Sequence, residues 1–143
     1  MNLDLEGKVA IITGGSDGIG RAAALSMSRE GARVAIAART KVTLAEAASQ
    51  ISTETGNEVI GISADVSDEA QVESLIRQVA DKWGQIDIIV NNAGTSSVAR
   101  LEEMTNEQMV ADVALKVYGA IYCTRQDRKS TRLTSSHALI SYA

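Results

Sequence analysis

The stretch Lys8–Gly20, KVAIITGGSDGIG, limits what this chain can fold into more than any other. Val9, Ala10, Ile11 and Ile12 run without a polar interruption, the pattern of a short strand buried on both faces of a parallel sheet. Gly14, Gly15, Gly18 and Gly20 follow at once. Glycines at such a turn let the backbone bend sharply and approach a ligand closely. A helix opening at Gly18 or Ile19 would present unpaired N–H groups and a positive dipole end, the chemistry of a pyrophosphate cradle. The spacing G-x-x-x-G-x-G departs from the usual G-x-G-x-x-G fingerprint, and on these residues alone an ordinary strand-to-helix turn reads the same.

Composition narrows the class. The 143 residues make one ordinary domain, and 45% apolar content suffices for a core. With 3% aromatics and no Phe, that core is built from Ala, Val, Ile and Leu. The single Cys123 forms no intramolecular disulfide and suits a reducing compartment. The start, MNLDLEGK, lacks a basic region followed by an apolar run, and no stretch approaches the roughly 20 apolar residues that span a bilayer. A cytoplasmic protein without membrane contact is expected. A net charge of −4 and a pI near 5.0 argue against nucleic acid as a partner, and no metal site is expected.

Beyond the glycines, Ile19, Ala23 and Met27 form a narrow helical face closed near Gly31. Arg33–Ala38 is a second buried-strand candidate, ended by Arg39. In a dinucleotide fold an acid about 20 residues past the glycines binds the ribose 2′-hydroxyl of NAD, whereas a basic residue accommodates the 2′-phosphate of NADP. Here Ala37–Lys41 reads AARTK, with no acid until Glu46. A guanidinium can grip a phosphate through two parallel bonds where a carboxylate would repel it, so Arg39 favours NADP over NAD. A solvated strand-end arginine is the plainer alternative.

Thr40 can cap a helix carrying Leu44, Ala47, Ala48 and Ile51 and closed by Gly56. Glu58–Ser63 is a third strand, with Asp65-Val66 directly beyond it. An Asp at a strand's carboxyl end could accept from an adenine amino group, although a solvated helix-entry Asp looks the same. A helix entered at Ser67 places Val72, Leu75, Ile76, Val79 and Trp83 in register, with Trp83 in the core, and Gly84 stops it. Ile86–Val90 is the fourth strand, followed by Asn91-Asn92-Ala93-Gly94. Two amides there can bond neighbouring backbone while Ala-Gly leaves room for a ribose; an ordinary turn is the alternative.

TGGSDGIG, Arg39, Asp65-Val66 and NNAG, in this order and spacing, resemble the classical short-chain dehydrogenases/reductases over residues from about 5 to 126. The resemblance implies an α/β fold of Rossmann type, a doubly wound parallel sheet truncated after the fourth strand and helix. It implies a dinucleotide whose phosphates lie at Gly14, Ser16, Asp17, Gly18, Ile19 and Gly20, with Thr13 bracing the loop. Arg39 would select NADP, Asp65 and Val66 would hold adenine, and Asn91, Ala93 and Gly94 would line the ribose side. The intact parent would be a homo-oligomer acting on a small carbonyl or alcohol by hydride transfer.

Two departures qualify this. Thr105 and Gln108 form a capping box for a further helix, with Met109, Val113, Val117, Ala120 and Ile121 as its expected buried face. On that helix Lys116 stands where the family carries an Asn, and its place on the buried face leaves its stem covering apolar surface or its amine in the site. The family also uses a Ser and a Tyr-x-x-x-Lys as its acid/base machinery. Tyr118 and Tyr122 are followed four residues later by Tyr122 and Gln126, and no residue follows Tyr142 at that spacing. No catalytic residue is therefore assigned.

The remaining segment, Asp127–Ala143, is rich in Ser, Thr, Arg and Lys and locally basic. Asp127–His137 resembles a translated sequencing adapter except at Thr134, where Asn is expected, and Ile140–Ala143 fits the adapter resumed after a short index. Residues 1–126 are then a partial NAD(P)-binding Rossmann domain, and 127–143 a non-family tail, disordered or artefactual. The reading is an NADP-binding fragment of a short-chain oxidoreductase. The alternatives are a non-catalytic nucleotide-binding module and a fragment with no stable function, since the apolar fourth strand would otherwise lie exposed at an edge prone to pairing.

Overall fold

The computed structural model describes residues 3–94, 100–130 and 139–141. Its elements follow in the order β1 (Val9–Thr13), α1 (Gly18–Arg29), β2 (Arg33–Ala38), α2 (Lys41–Thr55), β3 (Val59–Ser63), α3 (Glu69–Trp83) and β4 (Ile88–Asn91). After a 3-10 turn at Leu101–Glu103 come α4 (Asn106–Val113), a π-helical segment (Ala114–Tyr118), α5 (Gly119–Ser130) and β5 (Leu139–Ser141).

All strand pairs are parallel and the sheet order is β3-β2-β1-β4-β5. Two-sided burial explains the unbroken apolar runs. Val9, Ile11, Ala35 and Ala37 pack with Val72, Leu75 and Val79 of α3 on one face. Ile12, Val34 and Ile36 pack with Ala24 of α1 and Leu44, Ala47 and Ile51 of α2 on the other. The alternation follows the two-residue period of a strand, and each fully buried Ile contributes about 1.5–3 kcal/mol.

Local chemistry sets the element ends. The Asp68 carboxylate accepts from the backbone N–H of Ala70 at 2.9 Å and Gln71 at 3.3 Å, capping α3. Thr105 and Gln108 form the expected capping box on α4, with bonds of 2.9 and 3.2 Å. Gly56 and Gly84 end α2 and α3 in the left-handed conformation. Thr40 precedes α2 but makes no side-chain cap bond. Asp87 ties β4 to β1 by accepting from the Val9 N–H at 2.8 Å.

Three expectations are corrected. Met109, Val113, Val117 and Ile121 do not form a buried face: all are exposed, and α4 buries no residue. The row that meets the core is instead Leu115, Gly119, Cys123 and Gln126. The π-helical turn inserts extra residues into the helical repeat, so a row extrapolated at 3.6 residues per turn rotates away from the sheet. Trp83 lies at the edge of the core, half-buried, and its indole N–H donates to Glu58 at 3.1 Å. The β4 edge is not open: Ile89, Val90 and Asn91 pair in register with Leu139, Ile140 and Ser141, and α5 continues past Gln126.

Candidate functional site

The chain runs outward from β1 to β3, returns, and places β4 on the other side of β1. Doubly wound sheets open a crevice beyond the strand carboxyl ends where the order reverses, here between β1 and β4. The glycine turn sits there. Its Gly14 N–H donates to the Ala37 carbonyl at 2.7 Å, which folds the loop over the end of β2.

Close approach, more than flexibility, dictates glycine in this loop. A Cβ on Gly20 would lie 2.3 Å from the Gly14 carbonyl oxygen, and one on Gly14, at φ +66°, would lie 2.9 Å from Asn92 Nδ2. Gly18, at φ +53°, has nothing within 4 Å of such a Cβ, so its constraint is conformational. Asp17 caps α1 by accepting from the Gly18 N–H at 2.7 Å. Ile19 is 60% exposed at the helix start.

Thr13 and Asn92 fasten this loop to β4. Thr13 Oγ1 donates to the Val90 carbonyl at 3.3 Å and accepts from the N–H groups of Asn92 and Ala93, each at 3.0 Å. Asn92 Nδ2 donates to the carbonyls of Thr13 at 3.1 Å and Gly14 at 3.2 Å. Thr13 thus braces the loop, and of the two amides that sequence reasoning gave this task only Asn92 performs it. Among the described residues neither atom of the buried Asn91 amide has a hydrogen-bond partner.

An open cleft of about 190 Å³ lies against the loop. Seven of the residues singled out from sequence line it: Gly14, Ser16, Arg39, Asp65, Val66, Ala93 and Gly94. Asp17, Gly18, Ile19 and Gly20 are not among its lining residues, whereas Thr13 and Asn91 line a second cavity of about 10 Å³ that shares Val66, Ala93 and Leu115 with the cleft. Arg39 is exposed at the β2 end of the cleft and forms no ion pair with a described residue. One carboxylate oxygen of Asp65 accepts from the Ser67 N–H at 2.9 Å and the Ser67 hydroxyl at 2.6 Å.

The sequence reading missed Ala37, Ala38, Thr40, Ala64 and Leu115 as lining residues. Ala37 and Ala38 end β2, Thr40 lies two residues past it and Ala64 follows β3 directly, so all four were discoverable from the rule that ligands gather at strand carboxyl ends. Leu115 enters through the π-helical segment, for which the sequence carries no local signal. Lys116 is exposed, not buried, yet it borders the inner cavity. Its Cε and Cγ would stand 3.7 and 3.9 Å from a Cβ on Gly94.

A parallel sheet wound on both faces, with a glycine turn at its switch point, defines a Rossmann-type domain. The chain belongs to the short-chain dehydrogenase family, whose family model matches residues 8–131. It is 42% identical to a sorbitol dehydrogenase of Cereibacter sphaeroides over 82% of this chain and 44% of that protein. It is 35% identical to a 3-oxoacyl-[acyl-carrier-protein] reductase of Synechocystis over 85% of this chain and 49% of that one. Among solved structures, L-sorbose reductase from Gluconobacter frateurii, complexed with NADPH and L-sorbose, matches with a TM-score of 0.90 at 34% identity, covering 97% of this chain and 53% of that one. An alcohol dehydrogenase from Thermococcus sibiricus, complexed with 5-hydroxy-NADP, matches with a TM-score of 0.84 at 32% identity over 92% and 57% of the two chains. The chain spans about half the length of the curated relatives it matches. Among the described residues no helix is long and apolar enough to cross a membrane.

Proposed function

We propose that this chain is the cofactor-binding half of an NADP-dependent short-chain oxidoreductase, and that the parent moves a hydride between NADP(H) and a carbonyl or secondary alcohol. The observation that carries the reading is the pairing of the glycine cradle with the Arg39 guanidinium, which forms no ion pair with a described residue, in one cleft. Arg39 suits the 2′-phosphate, and no carboxylate lies in Ala37–Lys41 to oppose it. Gly14, Ser16 and the start of α1 at Gly18–Gly20 face the pyrophosphate, with Asp17 shaping the turn through its cap. Asp65 and Val66 take adenine, and Asn91, Ala93 and Gly94 take the second ribose. The free Asn91 amide supports this fit, because a buried donor and acceptor without partners are costly unless a ligand or water satisfies them.

Bound there, the dinucleotide would supply the hydride donor or acceptor; this chain's residues orient it. The family's Ser and Tyr-x-x-x-Lys are not found in these 143 residues. The reading therefore separates binding from turnover. Mixing the chain with NADPH should change the cofactor's fluorescence, while a panel of ketoses, ketones and aldehydes leaves its 340 nm absorbance unchanged. Steady oxidation of NADPH would contradict the fragment reading, and absence of any binding would contradict the whole proposal.

A further inference from the structure

Asn91 and Lys116 line one small cavity beside the cleft, and Arg39 is not among its lining residues. The Asn91 amide is buried, with both polar atoms unsatisfied, and it lines the small inner cavity. Lys116 borders that same cavity, and its aliphatic stem is laid along Gly94. Among the described residues its ammonium has no ion-pair partner. Val66, Ala93 and Leu115 line both the cleft and the inner cavity, so the two are neighbours.

The position is set by the fold. Arg39 follows β2 on one side of β1, whereas Asn91 and Gly94 follow β4 on the other, and the glycine turn lies between them. A dinucleotide anchored by its 2′-phosphate at Arg39 and its pyrophosphate at the turn must carry its second nucleoside to the β4 side. Lys116 is held at that end by the π-helical segment, the kind of helix irregularity that recurs at functional sites.

We infer that Lys116 is a second cofactor contact, acting with Asn91 on a hydroxyl of the distal ribose; the inference rests on the proposed NADP reading. The chemistry is complementary. An amide offers one acceptor and two donors, an ammonium offers three donors, and a ribose hydroxyl needs one of each. A cavity of about 10 Å³ has room for one oxygen and not for a sugar ring, so a single hydroxyl enters it while the ring stays in the cleft.

Calorimetric titration of the full chain with two ligands tests this. NADP carries both nucleosides; adenosine 2′,5′-bisphosphate carries the adenosine half with its 2′-phosphate and lacks the distal ribose. Lys116→Met should weaken NADP binding about fivefold to tenfold and leave the bisphosphate unchanged. Lys116→Arg should recover most of the loss. Arg39→Ala should weaken both ligands, which separates the two ends of the cleft. Equal weakening of both ligands by Lys116→Met would assign Lys116 a structural role and overturn the inference, as would no change in either. If the unsubstituted chain binds neither ligand, the NADP reading falls and this inference falls with it.

Discussion

The sheet with its first three helices and the helical segment after Asn106 follow opposite rules. In the former, Val9, Ile11, Ile12 and Ile36 are completely buried and both faces of every central strand are covered. In the latter, Met109, Val110, Val113, Val117 and Ile121 are exposed, and Leu115, Tyr122 and Cys123 supply the apolar contact with the core. The sheet is therefore held by two-sided burial, and α4 by its capping box and its continuity with α5. A residue's apolar character alone predicts its energetic weight only in the first region.

The sharpest way to break that contrast is to truncate one residue in each. Ile11→Ala should cost about 2–5 kcal/mol through lost transfer energy and the cavity left behind. Val110→Ala, at a position 69% exposed, should stay within about 0.5 kcal/mol. Urea denaturation of the two variants checks both, and equal costs would refute the contrast.

Between these limits lie the residues that join loop to sheet. Gly20→Ala places a methyl group 2.3 Å from a backbone oxygen that cannot swing aside, and should cost about 1–3 kcal/mol by thermal melt. Asn92→Ala removes the two bonds to Thr13 and Gly14 and should cost about 1–2 kcal/mol. Asn91→Ala, which breaks no bond among the described residues, should cost less than Asn92→Ala.

The smallest effect concerns pH. Hydrogen bonds from Lys82 and then from the Trp83 indole hold the Glu58 carboxyl below its ordinary range. A carboxylate with a lowered folded-state value adds stability above its unfolded value, and that stability is lost as pH falls through the folded one. The loss should be slight because the pair is exposed, and Trp83 fluorescence should shift with it at acidic pH. A Glu58→Gln variant should show no such shift.

The same division governs what the sequence made legible. Four strands, three crossover helices, the glycine turn and Arg39 at the end of β2 were readable, because two-sided burial leaves unbroken apolar runs and the turn demands glycine. The capping box of α4 was readable for the same local reason. The face of that helix was not: a π-helical turn changes the repeat without a residue signature, so the expected core row emerged exposed. The β4 edge was misread because its partner, Leu139–Ser141, is a three-residue strand in a Ser-, Thr- and Arg-rich stretch whose composition carries no strand signal. The roles of Asn91 and Asn92 could not be told apart from identical side chains in adjacent positions; only the geometry shows which one bonds the loop.

The cleft beyond the carboxyl ends of β1 to β4 is, on this proposal, built for a dinucleotide carrying a 2′-phosphate. Parallel calorimetric titrations of the unmodified chain with NADP and with NAD test it most directly. NADP should bind tighter than NAD by about tenfold to a hundredfold, the worth of charge-assisted bonds from one guanidinium. Equal affinity for the two dinucleotides, or a preference for NAD, would contradict it.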